Sequence, residues 1–294
     1  MKITCFGEVL WDIFPHHKKI GGAPLNVALR LKTMGIDSSI ITKVGFDDLG
    51  DDIITYIDKQ GLPLGTIQKD HQYHTGEVLV TLDEEGTASY EISHSVAWDF
   101  IETKDNAIKE VSISDAIIFG SLAARNEVSR NTLFELLNKA KFKILDVNLR
   151  PPHYDNQLLT DLMKRADFIK LNDDELDEVC IYFGIKETTL EKQIKALAGY
   201  TNTTEICITK GGKGATLYYN DSFYHNSGYR IEVVDTVGAG DSFLATLISK
   251  LLQGAEPQLA INHACAIGAM VAGSEGANPV FNDTEISNFI TNQE

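Results

Sequence analysis

The chain has 294 residues and a mass of 32.4 kDa, enough for one large core or two small ones. Its 43% hydrophobic and 23% charged residues exclude a disordered or fibrous protein, and no apolar run approaches the roughly 18 residues of a membrane span. With 26 basic residues against 42 acidic ones the formal net charge is −16, which opposes nucleic acid and anionic membrane surfaces. An anionic ligand must therefore be held locally, by backbone amides, a helix N-terminus or a bound cation.

The first residues, MKITCFGEVLWD, read as a strand over Ile3–Gly7 followed by an acid at Glu8, without the basic, apolar and small-residue zones of a secretion signal; a cytoplasmic protein is expected. β-branched runs predict further strands at Ser39–Val44, Ala116–Gly120, Ile144–Val147, Phe168–Leu171, Ile206–Thr209 and Ala215–Tyr219. Apolar residues three and four apart predict helices between them, at Pro24–Met34, Gly50–Gln60, Arg130–Lys141, Leu158–Arg165, Asp173–Phe183 and Leu190–Ala198. Continuous apolar strands alternating with helices mean an α/β fold with a mostly parallel central sheet covered on both faces.

One segment breaks this rhythm. GEVLVTL and TASYEI alternate apolar and polar residues around the turn Asp83–Gly86 and read as an antiparallel hairpin, either a sheet edge or a lid. From Gly238 the chain reads as helical, at Ala239–Leu252, Pro257–Ala272 and Thr284–Thr291, the last beginning after a capping candidate, Asp283. The small-residue run HACAIGAMVAG suits close helix packing or a flat ligand. The four cysteines are dispersed, with no C-x-x-C pair, and read as buried reduced thiols; neither His16-His17 nor His71 and His74 has an acidic partner at metal-site spacing.

The sharpest signal is DTVGAGDSF, residues 235–243, where glycines precede a helix whose first turn carries Asp241. Gly238, Ala239 and Gly240 can turn unpaired N–H groups toward one point, and the positive helix end adds to them. A Gly-containing turn with a capping Asp is the plain alternative. A carboxylate beside an anion trap suits phosphoryl transfer: a terminal phosphate rests on the amides while Asp241, kept ionised by the helix end, accepts a hydroxyl proton. Neither a P-loop nor a dinucleotide fingerprint is present. A second cluster, GGAPLNVA, sets Gly21 and Gly22 before a helix start with Pro24 and Asn26; the glycines permit close approach, and Asn26 can donate to and accept from a polyol. Asp12 follows the first strand, where open α/β sheets bind ligands.

Together these two clusters resemble the signatures of the PfkB, or ribokinase-like, carbohydrate kinases. The resemblance continues through VGFDDLG, the hairpin, DVNLR (146–150), NDDE (172–175) and TKGGKG (209–214), and Ala23-Pro24 looks like the fructokinase branch. It implies one ribokinase-like αβα sandwich over residues 1–294, with lid elements at roughly 10–20 and 73–95, and ATP-dependent phosphorylation of a sugar hydroxymethyl group, most plainly of free fructose. The alternatives are another PfkB-type kinase acting on ribose, 2-keto-3-deoxygluconate, a nucleoside or a sugar phosphate, and a non-catalytic sugar or nucleotide sensor on the same fold. Carried over by position, it implies Asp241 as base with Gly238, Ala239 and Gly240 as anion hole, and Asp12, Gly21, Gly22, Asn26 and Arg150 as sugar-binding residues. On the nucleotide side it implies Asn172, Glu175, Lys210, Gly212, Gly214, Gly238 and Gly240. Asn172 and Glu175 would meet hydrated Mg2+, although a helix cap and a first-turn acid explain the same pair. Asp235, Val237, Ser274 and Gly276 would hold K+. Expected partners are a small sugar and ATP, with a homodimer open, and neither nucleic acid nor membrane. The loop His16–Lys19 reads as a solvated charged loop or as a cationic pocket for a phosphosugar.

Overall fold

The structure is a computed structural model that describes residues 1–82 and 88–293. Its strands are β1 (Lys2–Phe6), β2 (Leu10–Ile13), β3 (Lys18–Gly21), β4 (Asp37–Gly45), β5 (Ile67–Asp70), β6 (Gly76–Leu82) and β7 (Ala88–Ile92), then β8 (Ala116–Gly120), β9 (Lys143–Asp146), β10 (Phe168–Asn172), β11 (Glu205–Thr209), β12 (Ala215–Tyr219) and β13 (Ser222–Asn226). The helices are α1 (Ala23–Thr33), α2 (Asp48–Lys59), α3 (Asp105–Ile113), α4 (Glu127–Leu137) and α5 (Asn156–Met163), then α6 (Asp173–Phe183), α7 (Leu190–Thr201), α8 (Ala239–Leu252), α9 (Pro257–Ala272) and α10 (Asp283–Thr291).

Nine strands form the central sheet in the order β13-β12-β11-β10-β9-β8-β1-β4-β5, parallel except for the antiparallel pairs that β12 makes with β11 and β13. Strand alternation feeds both faces. Phe6, Ile41 and Phe119 point into a core shared with α3 to α7, whereas Cys5, Ile40 and Ile118 point into one shared with α1, α2, α8 and α9. The result is a three-layer αβα sandwich. The four cysteines are buried and unpaired. Among the described residues no helix is long and apolar enough to cross a membrane.

A second sheet, in the order β3-β2-β6-β7, stands apart from the first. The hairpin read from GEVLVTL and TASYEI is its antiparallel β6–β7 pair, while β2 and β6 run parallel. The turn expected at 83–86 lies outside the described residues. Other boundaries differ from expectation for local reasons. Helix α4 starts three residues early, because the Asn126 side chain accepts from Val128 N and caps it. Asn282, not Asp283, caps α10, in a reciprocal capping box with Glu285. Helix α3 was not expected, since DNAIKEVSI turns only Ala107 and Val111 fully inward. The run HACAIGAMVAG packs against α8, with Gly268 facing Phe243 and the Ala239 carbonyl oxygen.

Candidate active site

The carboxyl ends of the parallel strands face one edge of the sheet, where α1 and α8 begin. Gly238 caps α8 with φ 77°, and a Cβ there would come within 2.6 Å of the Ala277 carbonyl oxygen, so the helix can start at this point only with glycine. Gly22 caps α1 with φ 113°, where a side chain would strike the Glu8 carbonyl oxygen. These two starts bring residues from opposite ends of the chain together. Asn26 Nδ2 donates to Asp241 Oδ2 at 2.8 Å, and Asn278 Nδ2 donates to Asn26 Oδ1 at 3.2 Å, which orients the Asn26 amide toward the carboxylate. One turn further along α1, Arg30 Nε donates to Ser242 Oγ at 2.9 Å and pins the two helices.

Burial lifts the Asp241 pKa to about 6, and the neighbouring Asp146 pushes the same way; the Asn26 hydrogen bond, Lys170 and Arg150 work against both. The helix end was expected to keep this group readily ionised, but desolvation outweighs it. The counter-charge is a residue that sequence reasoning passed over. Lys170, buried on β10, lies 2.8 Å from Asp146 Oδ1 of the adjacent strand and 3.7 Å from where a Cβ on Gly240 would sit, beside the amides that open α8. Burial opposes its charge, yet Asp146, Glu175 and Asp241 together hold its pKa above the usual lysine value. A lysine inside the apolar run FIKLN was the available signal.

Asp12 lies on β2 opposite Lys19 of β3, and the absence of a side chain at Gly21 leaves room for its carboxylate. Burial raises its pKa to about 6 against the pull of Lys19 and Arg150. Arg150 donates to the Leu149 carbonyl oxygen at 2.9 Å and offsets the charges of Asp12, Glu8 and Asp241. Glu8 had been noted only as an acid after the first strand. It is buried, its Oε2 has no hydrogen-bond partner among the described residues, and burial raises its pKa to about 7. The expected sugar residues Asp12, Gly21, Gly22, Asn26 and Arg150 thus share electrostatic or direct contacts with one another or with Asp241.

Asn172 caps α6 and Glu175 answers it in a capping box, each at 2.8 Å. The other Glu175 oxygen accepts from Leu149 N at 2.8 Å, tying this helix start to the DVNLR loop. Burial raises the Glu175 pKa, and Lys170 limits the rise. These oxygens hold backbone amides and keep outer lone pairs, which fits water of a hydrated cation better than direct ligation. Among the described residues no group of three or more His, Cys, Asp or Glu side chains is arranged to hold a metal ion. Lys210 donates to Thr216 Oγ1 at 3.3 Å beside the Gly211–Lys213 turn, which contains Gly212. Gly214 has φ 78°, and a side chain there would strike the Asn226 carbonyl oxygen. Asp235 N donates to the Ala272 carbonyl oxygen at 3.2 Å, so its loop runs beside the end of α9 that leads into Ser274 and Gly276. Its Oδ1 accepts from Val237 N at 3.0 Å, and Oδ2 faces Lys19 Nζ at 3.6 Å.

The profile of the pfkB family of carbohydrate kinases matches residues 5–284. A protein of Pyrococcus horikoshii named as a putative sugar kinase is 32% identical over 253 residues, 83% of this chain and 77% of its own. A fructokinase of Vibrio alginolyticus is 26% identical over 306 residues, 97% of each chain. Among solved structures, a Vibrio cholerae fructokinase double mutant with fructose, ADP and a potassium ion bound superposes with a TM-score of 0.82 at 22% identity, over 98% of both chains. With a profile matched along nearly the whole length and fructokinases among its relatives, the chain belongs to the pfkB family of carbohydrate kinases and is a sugar phosphotransferase.

Proposed function

We propose that the chain transfers the γ-phosphate of ATP to the hydroxymethyl group of a free sugar, and that the sugar is fructose. The observation that carries this reading is the 2.8 Å contact between Asn26 and Asp241 at the first turn of α8. In the reaction Asp241 takes the proton of the sugar hydroxyl as that oxygen attacks phosphorus, and Asn26 keeps the receiving oxygen aimed. The amides of Gly238 and Gly240 receive the charge that grows on the transferred phosphoryl group, with the Lys170 ammonium beside them; Ala239 N, expected to join them, instead donates to the Thr236 carbonyl oxygen at 3.2 Å. Asp12 and Arg150 hold sugar hydroxyls, and the sheet β3-β2-β6-β7, which carries Asp12, closes over the sugar and excludes water.

On the nucleotide side, Lys210, Gly212 and Gly214 border ATP. Asn172 and Glu175 would hold hydrated Mg2+, which would offset phosphate charge when bound. Oxygens of Asp235, Val237, Ser274 and Gly276 hold K+, and the potassium-bound Vibrio cholerae structure supports that assignment.

Fructose in that structure and the Ala23-Pro24 signature support the choice of sugar. So does the segment His16–Lys19, expected to be a loop but with Lys18 and Lys19 opening β3, whose lysines are already engaged: Lys18 sits 4.1 Å over the Trp11 ring and 3.5 Å from Asp52, and Lys19 faces Asp235. A coupled assay of ADP release with fructose, ribose, adenosine, 2-keto-3-deoxygluconate, fructose 1-phosphate and fructose 6-phosphate tests the reading. The largest kcat/KM is expected for fructose. A larger value for any other acceptor overturns the sugar assignment, and no sugar-dependent ADP release with any of them overturns the transfer itself.

A further inference from the structure

A polar cleft of about 270 Å3 lies outside the residues assigned to transfer. Its walls are the segment that leaves β7, with His94, the start of α4, with Arg130, and the loop after β9, with His153. In a chain of net charge −16 it gathers two arginines and two histidines. Both acids in the cleft are already engaged. Asp99 is held by Arg125 through two contacts, Nε at 2.7 Å and Nη2 at 2.8 Å, and Asp155 accepts from Leu158 N at 2.8 Å as the cap of α5.

That leaves the Arg130 guanidinium as the cation of the cleft without an anion, with the imidazoles of His94 and His153 as neutral donors beside it; burial and the Arg125 charge lower the His153 pKa. Arg125 is buried, lies 4.1 Å from the Trp98 ring centroid, and turns Nη1 toward His153 Nδ1 at 3.5 Å. The His94 and His153 rings are 4.6 Å apart. The guanidinium of Arg130 has no hydrogen bond or ion pair among the described residues. The start of α4, capped by the neutral Asn126, opens on the cleft and adds its positive end to these side chains, whereas the start of α5 is already met by the Asp155 carboxylate.

We propose that this cleft is a second anion site, which binds a sugar phosphate as an effector. Arg130 and the imidazoles of His94 and His153 line one cleft and can each donate to a terminal oxygen of a phosphomonoester, and the volume exceeds what phosphate alone requires. A sugar phosphate is the product class of this kinase, so the site would sense product; the binding itself does not depend on which sugar is phosphorylated. The walls explain how occupancy reaches the transfer site. Arg125 bonds the Ser93 carbonyl oxygen at the exit of β7, and His153 follows Arg150 by three residues, so one ligand touches both the stem of the smaller sheet and the loop that carries Arg150. Coupling of this kind changes the KM for sugar, and by linkage sugar changes the affinity for the effector.

The experiment is calorimetric titration of the full-length protein with fructose 1-phosphate, fructose 6-phosphate and inorganic phosphate, for wild type, Arg130→Gln and Arg130→Lys. A sugar phosphate is expected to bind wild type, to remain bound when fructose and a non-hydrolysable ATP analogue saturate the transfer site, to bind Arg130→Gln at least about tenfold more weakly, and to recover in part with Arg130→Lys. Without phosphosugar, the kcat and thermal midpoint of Arg130→Gln should equal those of wild type. Binding that is absent, indifferent to Arg130 or displaced by fructose overturns the site. Inorganic phosphate binding as tightly as the sugar phosphates overturns the sugar-phosphate assignment. The binding readouts need no turnover, so their failure is distinct from a failure of the kinase reading.

Discussion

Asn26, four residues into the first long helix, donates to Asp241 Oδ2 at 2.8 Å across 215 positions of sequence. Its own carbonyl oxygen is taken by Asn278, so the amide cannot turn over without losing a bond on each side. This arrangement supports the ionised form of a buried carboxylate whose pKa stands at about 6.

The first prediction concerns pH. A base with a pKa of about 6 is ionised above that value, so kcat/KM should fall about tenfold per unit as pH drops below 6. Asn26→Asp would place a second carboxylate in hydrogen-bond range, and the pair would share a proton. The acid limb should then move up by about one unit or more. A limb at the same pH in the variant contradicts the coupling.

Lys170 and Asp146 are register partners on adjacent parallel strands, 2.8 Å apart and both buried. Lys170→Met leaves Asp146 charged and unpaired, which should cost roughly 3–5 kcal/mol in denaturant unfolding. Replacing both, with Asp146→Leu added, should recover most of that loss. If the single variant unfolds at the wild-type denaturant concentration, the pair is not holding the sheet.

Glu8 has a folded-state pKa of about 7, above its ordinary value of 4.5. The folded protein therefore holds a proton that the unfolded chain releases, so Glu8 costs stability increasingly as pH rises from 4.5 to 7, and by roughly 3 kcal/mol beyond that. Glu8→Gln should gain stability over wild type at pH 8 and almost none at pH 4.5. An equal difference at both values, measured by urea unfolding, contradicts the shift.

Features set by neighbouring residues were readable in the sequence. Gly238 and Asp241 lie within one turn, and their placement at a helix start follows from the glycine and the spacing alone. The Asn172–Glu175 capping box and the alternation that became β6 are equally local. Features chosen by register were not readable. Asp146 becomes the partner of Lys170 only when β9 and β10 align, and Asn278 reaches Asn26 across 252 positions. The shift on Asp241 escaped for the same reason, since burial is a property of the assembled layers and outweighs the local helix end. The short strands β2 and β3 have four residues each, and β3 takes in the two lysines of the charged HHKK run, so both lack the length and apolar alternation that strand patterns need.

The central claim is that Asp241 accepts the proton. Asp241→Asn preserves size and capping ability but cannot take it up. The decisive measurement is kcat of the folded variant, with ATP affinity and the thermal midpoint recorded on the same preparation. The account predicts kcat lower by at least about 10²-fold, with ATP still bound and the midpoint no lower than that of wild type. Near-wild-type turnover in a folded Asp241→Asn protein would contradict it.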